Sequence, residues 1–303
     1  MLMTLLSVRH ITRYAYKAPV RFGEHRLMVR PRDSFDQRLI AFQLDITPKP
    51  KAVRWLHDPF GNCITVVHFT GEADELVFDA RILLDHNPDH GPEFLLESYA
   101  RTYPFTYSAE DAPDLSRLVE RQYLDPDHIV AAWVRRFLHQ GRATETGELL
   151  MTMTTAISES FTYETRLLHG TQDPTETLTT GRGSCRDFAM LMIEAVRTLG
   201  LAARFVTGYL HVPGETAAEY QGGGHTHAWC EVYLPGAGWV EFDPTNGIVG
   251  NKNLIRVAVA RDPRQALPLW GGFFGSAADA LGMTVSVETR EVVEESTSPA
   301  LWG

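Results

Sequence analysis

The stretch Gly181-Arg-Gly-Ser-Cys-Arg-Asp-Phe-Ala189 places a cysteine, Cys185, at a predicted helix start. Within this stretch, Ser184–Asp187 have the form of a capping box. The apolar residues that follow recur at helical spacing until Gly200. Unpaired backbone N–H groups at a helix start stabilise an anion, so this position favours a thiolate. The glycines at 181 and 183 leave the approach to the sulfur unobstructed. A cysteine in a helix is more often an ordinary small packing residue, but the cap, the glycines and the residues downstream favour a nucleophile.

Downstream of this helix the chain offers a histidine and an aspartate on predicted strands, in the segments His225-Thr-His-Ala-Trp229 and Phe242-Asp-Pro-Thr-Asn246. A thiol nucleophile needs a base that takes its proton and an acid that orients the base. Because side chains alternate along a strand, His227 shares one face with Trp229, and Cys230 points to the other face. Cys230 is therefore expected to be a buried structural residue.

The register of the hairpin around Pro235-Gly-Ala-Gly238 decides whether Asp243 can reach His227. If Leu234 pairs with Gly238 across a three-residue loop, Asp243 comes opposite Trp229 and His227 lies one diagonal step away on the same face. A four-residue loop would turn Asp243 to the opposite face. Cys185, His227 and Asp243 are thus the predicted catalytic residues, on condition of the first register.

Two alternatives use His225, which lies two residues before His227 on the same expected strand face. It is a competing base, and the His-x-His spacing also permits a metal site with Asp243 and Cys185. The spacing alone is weak evidence, and the helix-start setting of Cys185 has its own catalytic explanation. The sequence therefore predicts no metal and no cofactor.

Arg186 and Trp229 each have a structural and a functional interpretation. Arg186 either favours the thiolate or a substrate carboxylate, or is a solvated surface residue. Trp229 lines a cleft or belongs to the core. Asp187 is expected to be a structural cap, and Asn246 to be a turn residue. Arg186, His225 and Trp229 are kept as substrate-binding or supporting candidates.

The chain divides into a β-rich first part and a mixed second part. Short β segments separated by turn clusters fill residues 7 to 85, which predicts a β-sandwich-like N-terminal domain over 1–88. Residues 89–303 form the predicted catalytic domain, with a core over 148–262. There a helix from Glu148 to Ser160 precedes the Cys185 helix, and strands follow over Ala203–Leu210, Thr226–Leu234, Trp239–Asp243, Leu254–Ala260 and Met283–Glu288. The predicted fold class is α+β, with the nucleophile's helix packed on an antiparallel sheet.

The bulk composition excludes several classes of protein. The 303 residues are 44% hydrophobic and 22% charged, which is typical of a globular chain, and the formal net charge of −10 argues against a nucleic-acid partner. Neither a signal peptide nor a transmembrane stretch is recognisable, so no membrane association is expected. Three widely spaced cysteines suit a reducing cytoplasm, which is the predicted location.

At these residues the chain resembles the bacterial transglutaminase-like proteins, a branch of the papain-like cysteine hydrolase superfamily. The motifs occur in the family's order: Gly181–Leu191, Ala203–Leu210, His227–Trp239 and Phe242–Gly247. The resemblance implies Cys185 as nucleophile, His227 as base and Asp243 as orienting acid. Upstream, Phe161-Thr-Tyr163 looks like the family's lead-in to the nucleophile, and residues 7 to 85 are similar to its β-rich N-terminal region.

The predicted function is a cysteine hydrolase that cleaves amide bonds of a peptide or protein substrate through a thioester. Two alternatives stay open at this point. One is a transglutaminase that passes the acyl group to an amine, and the other is a peptide- or polysaccharide-binding module on a degenerate cysteine-protease fold. The oligomeric state is open, a homo-oligomer included, and so is the role of the N-terminal domain.

Overall fold

The structure is a computed structural model, and it describes residues 4–87, 95–166, 170–212 and 220–292. The polar segment 291 to 300, which the sequence predicts to be a partly disordered tail, lies almost wholly outside the described residues. Among the described residues, no helix is long and apolar enough to cross a membrane.

Among the described residues strands dominate, and five α-helices lie between residues 111 and 198. The strands are β1 (Thr4–Phe22), β2 (His25–Leu27), β3 (Gln37–Thr47), β4 (Ala52–His57), β5 (Cys63–His68), β6 (Glu72–His86), β7 (Thr102–Tyr103), β8 (Thr144–Glu145), β9 (Thr162–Tyr163), β10 (Arg182–Gly183), β11 (Ala203–Leu210), β12 (Thr226–Leu234), β13 (Gly238–Asp243), β14 (Ile248–Val249), β15 (Leu254–Ala260), β16 (Leu269–Trp270), β17 (Phe273–Phe274) and β18 (Ala280–Glu291). The helices are α1 (Asp111–Val119), α2 (Ile129–Arg135), α3 (Thr146–Ser160), α4 (Pro174–Thr180) and α5 (Cys185–Thr198).

The first six strands form two facing sheets, as predicted for the N-terminal region. One sheet has the order β17-β1-β6-β3 with β18 also paired to β1, and the other has the order β16-β2-β5-β4. Alternate residues of β6 are buried from Leu76 onward, which is the pattern of a strand with one face on a core. Phe22, Leu27, Val67 and Phe78 meet in that core, so the two sheets pack face to face.

The C-terminal strands lie in these N-terminal sheets, which differs from the prediction that 89–303 forms one catalytic domain. Strand β18 pairs antiparallel with β1 from Leu6↔Glu291 to Tyr16↔Ala280. Strands β16 and β17 pair with β2 and β1. The physical reason is that β1, 19 residues long, would otherwise expose a long row of unpaired backbone groups along one edge. The chain therefore returns to its first layer after completing the core.

The second part of the chain is built on an antiparallel sheet with the order β14-β13-β12-β11-β15. Helix α5 packs on one face of it, against Phe205, Ala228, Cys230 and Phe242. The predicted α+β class, with the Cys185 helix on an antiparallel sheet, is confirmed. Cys230 is fully buried in this core, as expected, and its Sγ lies 3.4 Å from the carbonyl oxygen of Phe242.

The β12–β13 hairpin has the three-residue loop on which the predicted site depends. Leu234 pairs with Gly238, and the pairing continues to Cys230↔Phe242, so the next residue, Asp243, comes opposite Trp229. Gly238 has a φ of 74°, a left-handed conformation that favours glycine at the turn. The conditional register prediction is confirmed.

Side-chain amides of the first layer cover the outer edge of β15, which pairs with β11 on its other side. Asn62 donates to the carbonyl oxygen of Val259 at 2.7 Å and accepts from its N–H at 2.9 Å. Gln37 makes the same pair of bonds to Arg256, both at 2.8 Å. These amides satisfy backbone groups that a further strand would otherwise satisfy, and they join the two parts of the molecule.

Candidate active site

Cys185 is the first residue of α5, and the cap that the sequence predicts in front of it is present. The Asp187 carboxylate accepts from the backbone N–H of Ser184 at 2.8 Å and from its hydroxyl at 2.7 Å, which closes the capping box. The Cys185 side chain is nearly enclosed, because the residue is 7% exposed. The thiol therefore lies where the unpaired N–H groups of the first helical turn concentrate positive potential.

Asp187 and Arg186 both hold the segment in front of Cys185. The second Asp187 oxygen accepts from Arg166 at 2.5 Å and from the N–H of Gln172 at 2.7 Å, so Asp187 is a structural cap, as expected. Arg186 is half-buried and donates to the Arg166 carbonyl oxygen at 2.9 Å. This bond gives Arg186 a supporting position beside the site.

The two glycines before the cysteine have separate roles. Gly181 ends α4 with a φ of 63°, so its place in the motif is that of a helix C-cap. Gly183 leaves room for α5, because a Cβ there would lie 2.9 Å from the Cβ of Asp187 and 3.0 Å from the Phe188 ring. Both support the helix start by packing and backbone conformation, whereas the sequence indicated an open approach to the sulfur.

His227 and Asp243 are hydrogen-bonded in the interior of the protein. Nε2 of His227 lies 2.8 Å from Oδ2 of Asp243, and the two residues are 1% and 0% exposed. Burial alone lowers the pKa of His227, but Asp243 and Cys185 outweigh it and raise the pKa to about 10. Burial likewise raises the pKa of Asp243, and His227, Asn246 and the N–H of Thr245 outweigh it, so the net shift is downward. Both shifts favour the charged forms of the two side chains.

The other ring nitrogen of His227 is the one available to the thiol. Within the described parts of the chain, Nδ1 is buried and has no hydrogen-bond partner. Cys185 is close enough to contribute to the raised pKa of His227. The arrangement leaves one nitrogen for the carboxylate and one for proton exchange with the sulfur.

The supporting candidates Trp229 and His225 lie in different surroundings. Trp229 is fully buried, and its ring stacks on that of His227 at 6.0 Å between centroids and 28° between planes. It supports the imidazole from the interior and does not face a cleft. His225 is exposed and lies in the turn before β12, which begins at Thr226, so the structure does not bring it to Asp243.

Tyr163 lies beside Cys185, and the sequence indicated this tyrosine only through the family's lead-in segment. Strand β9 pairs in parallel with β10, with Gly183 opposite Tyr163, and this pairing carries the phenol to the start of α5. Burial raises the pKa of Tyr163, and the neighbouring Cys185 raises it further. Tyr163 therefore keeps its proton at neutral pH and can donate a hydrogen bond at the site.

Asn246, which the sequence predicts to be a turn residue, also belongs to the site. Its Nδ2 donates to Oδ2 of Asp243 at 2.9 Å, the same oxygen that His227 binds. Its Oδ1 accepts from the N–H of Gln221 at 2.8 Å. The Asp-Pro-Thr-Asn motif was a signal for this contact, because a turn brings a residue close to the one three positions before it.

The residues that the sequence offered for a metal site, His225 and His227 with Asp243 and Cys185, do not form a metal-binding cluster. In the parts of the chain described by the structure, no group of three or more histidine, cysteine, aspartate or glutamate side chains lies close enough to hold a metal ion. His225 is exposed while Cys185 and Asp243 are buried.

Two family models match the chain. The bacterial transglutaminase-like N-terminal region matches residues 6–85, and the transglutaminase-like superfamily matches residues 132–244, which include the three predicted catalytic residues. An uncharacterized protein of Mycobacterium tuberculosis is 30% identical over 290 residues, which cover 93% of this chain and 91% of the relative. An uncharacterized protein of Mycobacterium leprae is 23% identical over 94% of this chain and 99% of its own length.

A solved structure from Cytophaga hutchinsonii, which carries the provisional name of a cysteine protease, has the same fold. It superposes with a TM-score of 0.72 at 19% identity, over 98% of this chain and 93% of its own. The protein belongs to the transglutaminase-like superfamily and carries the bacterial transglutaminase-like N-terminal region.

Proposed function

We propose that the protein is a cysteine hydrolase that cleaves amide bonds, peptide or isopeptide, through a thioester on Cys185. The observation that carries this proposal is the buried His227–Asp243 pair, whose histidine neighbours a cysteine at a capped helix start. A buried histidine bonded to a buried carboxylate is the arrangement that orients a general base.

The first half of the proposed reaction forms the thioester. The Cys185 sulfur attacks the carbonyl carbon of the substrate, while Nδ1 of His227 holds the proton that the thiol has lost. The carbon–nitrogen bond then breaks, and the leaving amine takes that proton from Nδ1. Asp243 keeps Nε2 protonated throughout, so the ring changes its proton only on the side facing the sulfur.

The second half returns the enzyme to its first state. Water attacks the thioester carbon, His227 takes a proton from the water, and the carbon–sulfur bond breaks to release a carboxylic acid. The sulfur recovers its proton, or stays as a thiolate paired with the imidazolium. No further reactant is consumed in the cycle.

Two donors are available for the oxygen that becomes negative in each half-reaction. The backbone N–H of Cys185 belongs to the first helical turn, where it has no partner within the helix. The Tyr163 hydroxyl lies beside the same sulfur and remains protonated. We assign these two groups to the oxyanion site, because preorganised donors at the developing charge supply a large part of such catalysis.

Acyl transfer to an amine is the second candidate, since it uses the same residues and differs in the second half of the reaction. Incubation with a peptide and isopeptide library, followed by mass spectrometry, separates the two functions. Hydrolysis gives free acid and amine, whereas transfer gives a new amide when a primary amine is added. A Cys185→Ser variant should lose both activities, and Cys63→Ser is the matched control because its half-buried thiol lies in the first layer on β5.

A non-catalytic binding module is the third candidate, and the retained pair of His227 and Asp243 argues against it. Binding without turnover, together with a Cys185 that reacts no faster than Cys63, would favour it. The peptide or protein nature of the substrate is part of our proposal. So is a cytoplasmic location, which would keep the three free cysteines reduced.

A further inference from the structure

The turn Gln221–Gly224 lies directly against the catalytic histidine. Gly222 has a φ of 87°, and a Cβ on it would lie 2.8 Å from Nδ1 of His227 and 3.6 Å from the hydroxyl of Tyr163. Main chain without a side chain therefore covers the ring nitrogen on the side of the nucleophile. Where the backbone comes this close to a functional group, only glycine fits, because it has no Cβ.

Asn246 connects this turn to Asp243. Its Nδ2 donates to Oδ2 of Asp243 at 2.9 Å and to the carbonyl oxygen of Gln221 at 3.3 Å, and its Oδ1 accepts from the N–H of Gln221 at 2.8 Å. Two acceptors face the NH₂ group and one donor faces the oxygen, so the amide fits in one orientation only. One neutral side chain thus bonds both to the carboxylate that holds His227 and to the main chain that covers it.

The far end of the same turn is bonded to the first layer of the molecule. The N–H of Val287, on β18, donates to the carbonyl oxygen of Gly224 at 2.9 Å. Val287 is itself buried, in a cluster with Val8 of β1 and Tyr209 of β11. The turn is therefore fixed at Gln221 by Asn246 and at Gly224 by a strand of the N-terminal sheets.

The imidazole of His227 is consequently confined by three neighbours. Asp243 binds Nε2, the Trp229 ring stacks on one face, and Gly222 lies against Nδ1. We propose that Asn246 is a positioning residue that fixes Asp243 and the 221–224 turn relative to each other, and so holds Nδ1 of His227 toward Cys185. This inference rests on the proposed cysteine chemistry and concerns a residue that does not touch substrate.

An uncharged donor is required at this position. Alanine would leave Asp243 with one hydrogen bond fewer and would release Gln221. Aspartate would place a second carboxylate against Asp243, and like charges in a buried setting repel strongly. Protonation of that second carboxylate would restore an O–H donor toward Asp243. The Asn246→Asp variant should therefore be more sensitive to pH than Asn246→Ala.

The test measures alkylation of Cys185 by iodoacetamide, together with kcat and KM on a cleaved peptide, from pH 5 to 8. We expect Asn246→Ala to lower the alkylation rate and kcat by about tenfold at pH 7, the scale of one hydrogen bond to a charged group, with KM little changed. Asn246→Asp should lie below Asn246→Ala at pH 7 and rise above it toward pH 5. Gln43→Ala is the control, because it removes an amide that donates to a carboxylate, that of Asp45, in the first layer, and it should stay within about twofold of wild type.

Two outcomes would overturn the inference. One is wild-type alkylation and kcat in a folded Asn246→Ala variant, with the fold checked by thermal unfolding. The other needs no variant: the Gln221 amide should exchange slowly in the wild-type protein, and fast exchange there would show that the bond to Asn246 is absent. A wild-type Cys185 that fails to react would instead contradict the proposed function, so the two failures are distinguishable.

Discussion

Nε2 of His227 and Oδ2 of Asp243 lie 2.8 Å apart with both residues removed from solvent, although the two belong to different strands and sixteen positions separate them in the chain. The hairpin register brings them together, since Leu234 opposite Gly238 is what directs Asp243 to the face of His227. The pair sets the direction of the ring, and with it the nitrogen that faces Cys185.

Replacing Asp243 by asparagine should abolish most of the activity while preserving the fold. The amide keeps the size of the carboxylate but removes its charge, so it neither stabilises the imidazolium nor fixes the protonated nitrogen. We expect kcat to fall by roughly ten-thousandfold, the scale seen when an orienting carboxylate is made neutral in hydrolytic triads. Steady-state kinetics with a cleaved peptide checks this, and a loss below tenfold would contradict the role of Asp243.

Removing the hydroxyl of Tyr163 tests its assignment to the oxyanion site. Tyr163→Phe should lower kcat by about a hundredfold with little change in KM, since a lost oxyanion donor acts on the transition state. Tyr123→Phe is a matched control, because it removes a tyrosine hydroxyl that is hydrogen-bonded to Thr171. Equal kinetics for Tyr163→Phe and wild type would remove Tyr163 from the mechanism.

Alanine at Gly222 and at Gly224 should have different effects, although both glycines have positive φ. The values are 87° and 79°, so alanine costs a similar strain of roughly 1–2 kcal/mol at each. Only at Gly222 does the added Cβ come within 2.8 Å of Nδ1, while at Gly224 it meets nothing within 4 Å. We expect the alkylation rate of Cys185 to fall at least about tenfold more in Gly222→Ala than in Gly224→Ala, because a small displacement of a catalytic group lowers the rate on this scale. Similar rates in the two variants would show that the contact with His227 is unimportant.

Stability should decrease as the pH rises toward 8, because of a buried glutamate between the two parts of the molecule. Burial raises the pKa of Glu241. The carboxylates of Glu231, which lies opposite it on β12, and of Asp36 raise this pKa further, whereas Arg256, which donates to Glu241 at 2.7 Å, lowers it. The resulting pKa of Glu241 is about 8 instead of 4.5. The folded protein thus binds a proton that the unfolded chain releases. This contribution is complete below about pH 4.5 and is lost as the pH passes through 8.

Urea unfolding at pH 6, 7, 8 and 9 measures this effect, with Glu241→Gln as the test variant. The free energy of unfolding should fall less steeply with pH in Glu241→Gln than in wild type. Glu288→Gln, on the exposed part of β18, is the control and should retain the wild-type slope. A Glu241→Gln variant with an unchanged slope would assign the pH dependence to other groups.

Features that depend on neighbouring residues were predictable from the sequence. The capping box at Ser184 and the alternation that separates Cys230 from His227 follow from short-range geometry, whereas the sequence left the hairpin register open between a three- and a four-residue loop. The choice of His227 over His225 followed from its diagonal relation to Asp243 and from the resemblance, and the exposed position of His225 agrees with it.

Features that depend on contacts between distant parts of the chain were not predictable from the sequence. Strand β18 completes a sheet begun by β1, some 280 residues earlier along the chain, and no local pattern indicates which open edge it joins. Tyr163 reaches Cys185 through the two-residue parallel pairing of β9 and β10, which is too short to be recognised by periodicity. Asn246 has the composition of any turn, and its contact with Gln221 joins two loops whose proximity is a product of the whole fold.

The central claim is that Cys185 is a nucleophile activated by His227, and alkylation of the native protein tests it most directly. Cys63 and Cys230 are internal standards, because burial raises the pKa of both thiols. With limiting iodoacetamide at pH 7 and mass spectrometry of the peptides, we expect Cys185 to react at least about tenfold faster than Cys63, and to lose this advantage in His227→Ala. A Cys185 that reacts no faster than Cys63, or equally fast with and without His227, would contradict the account.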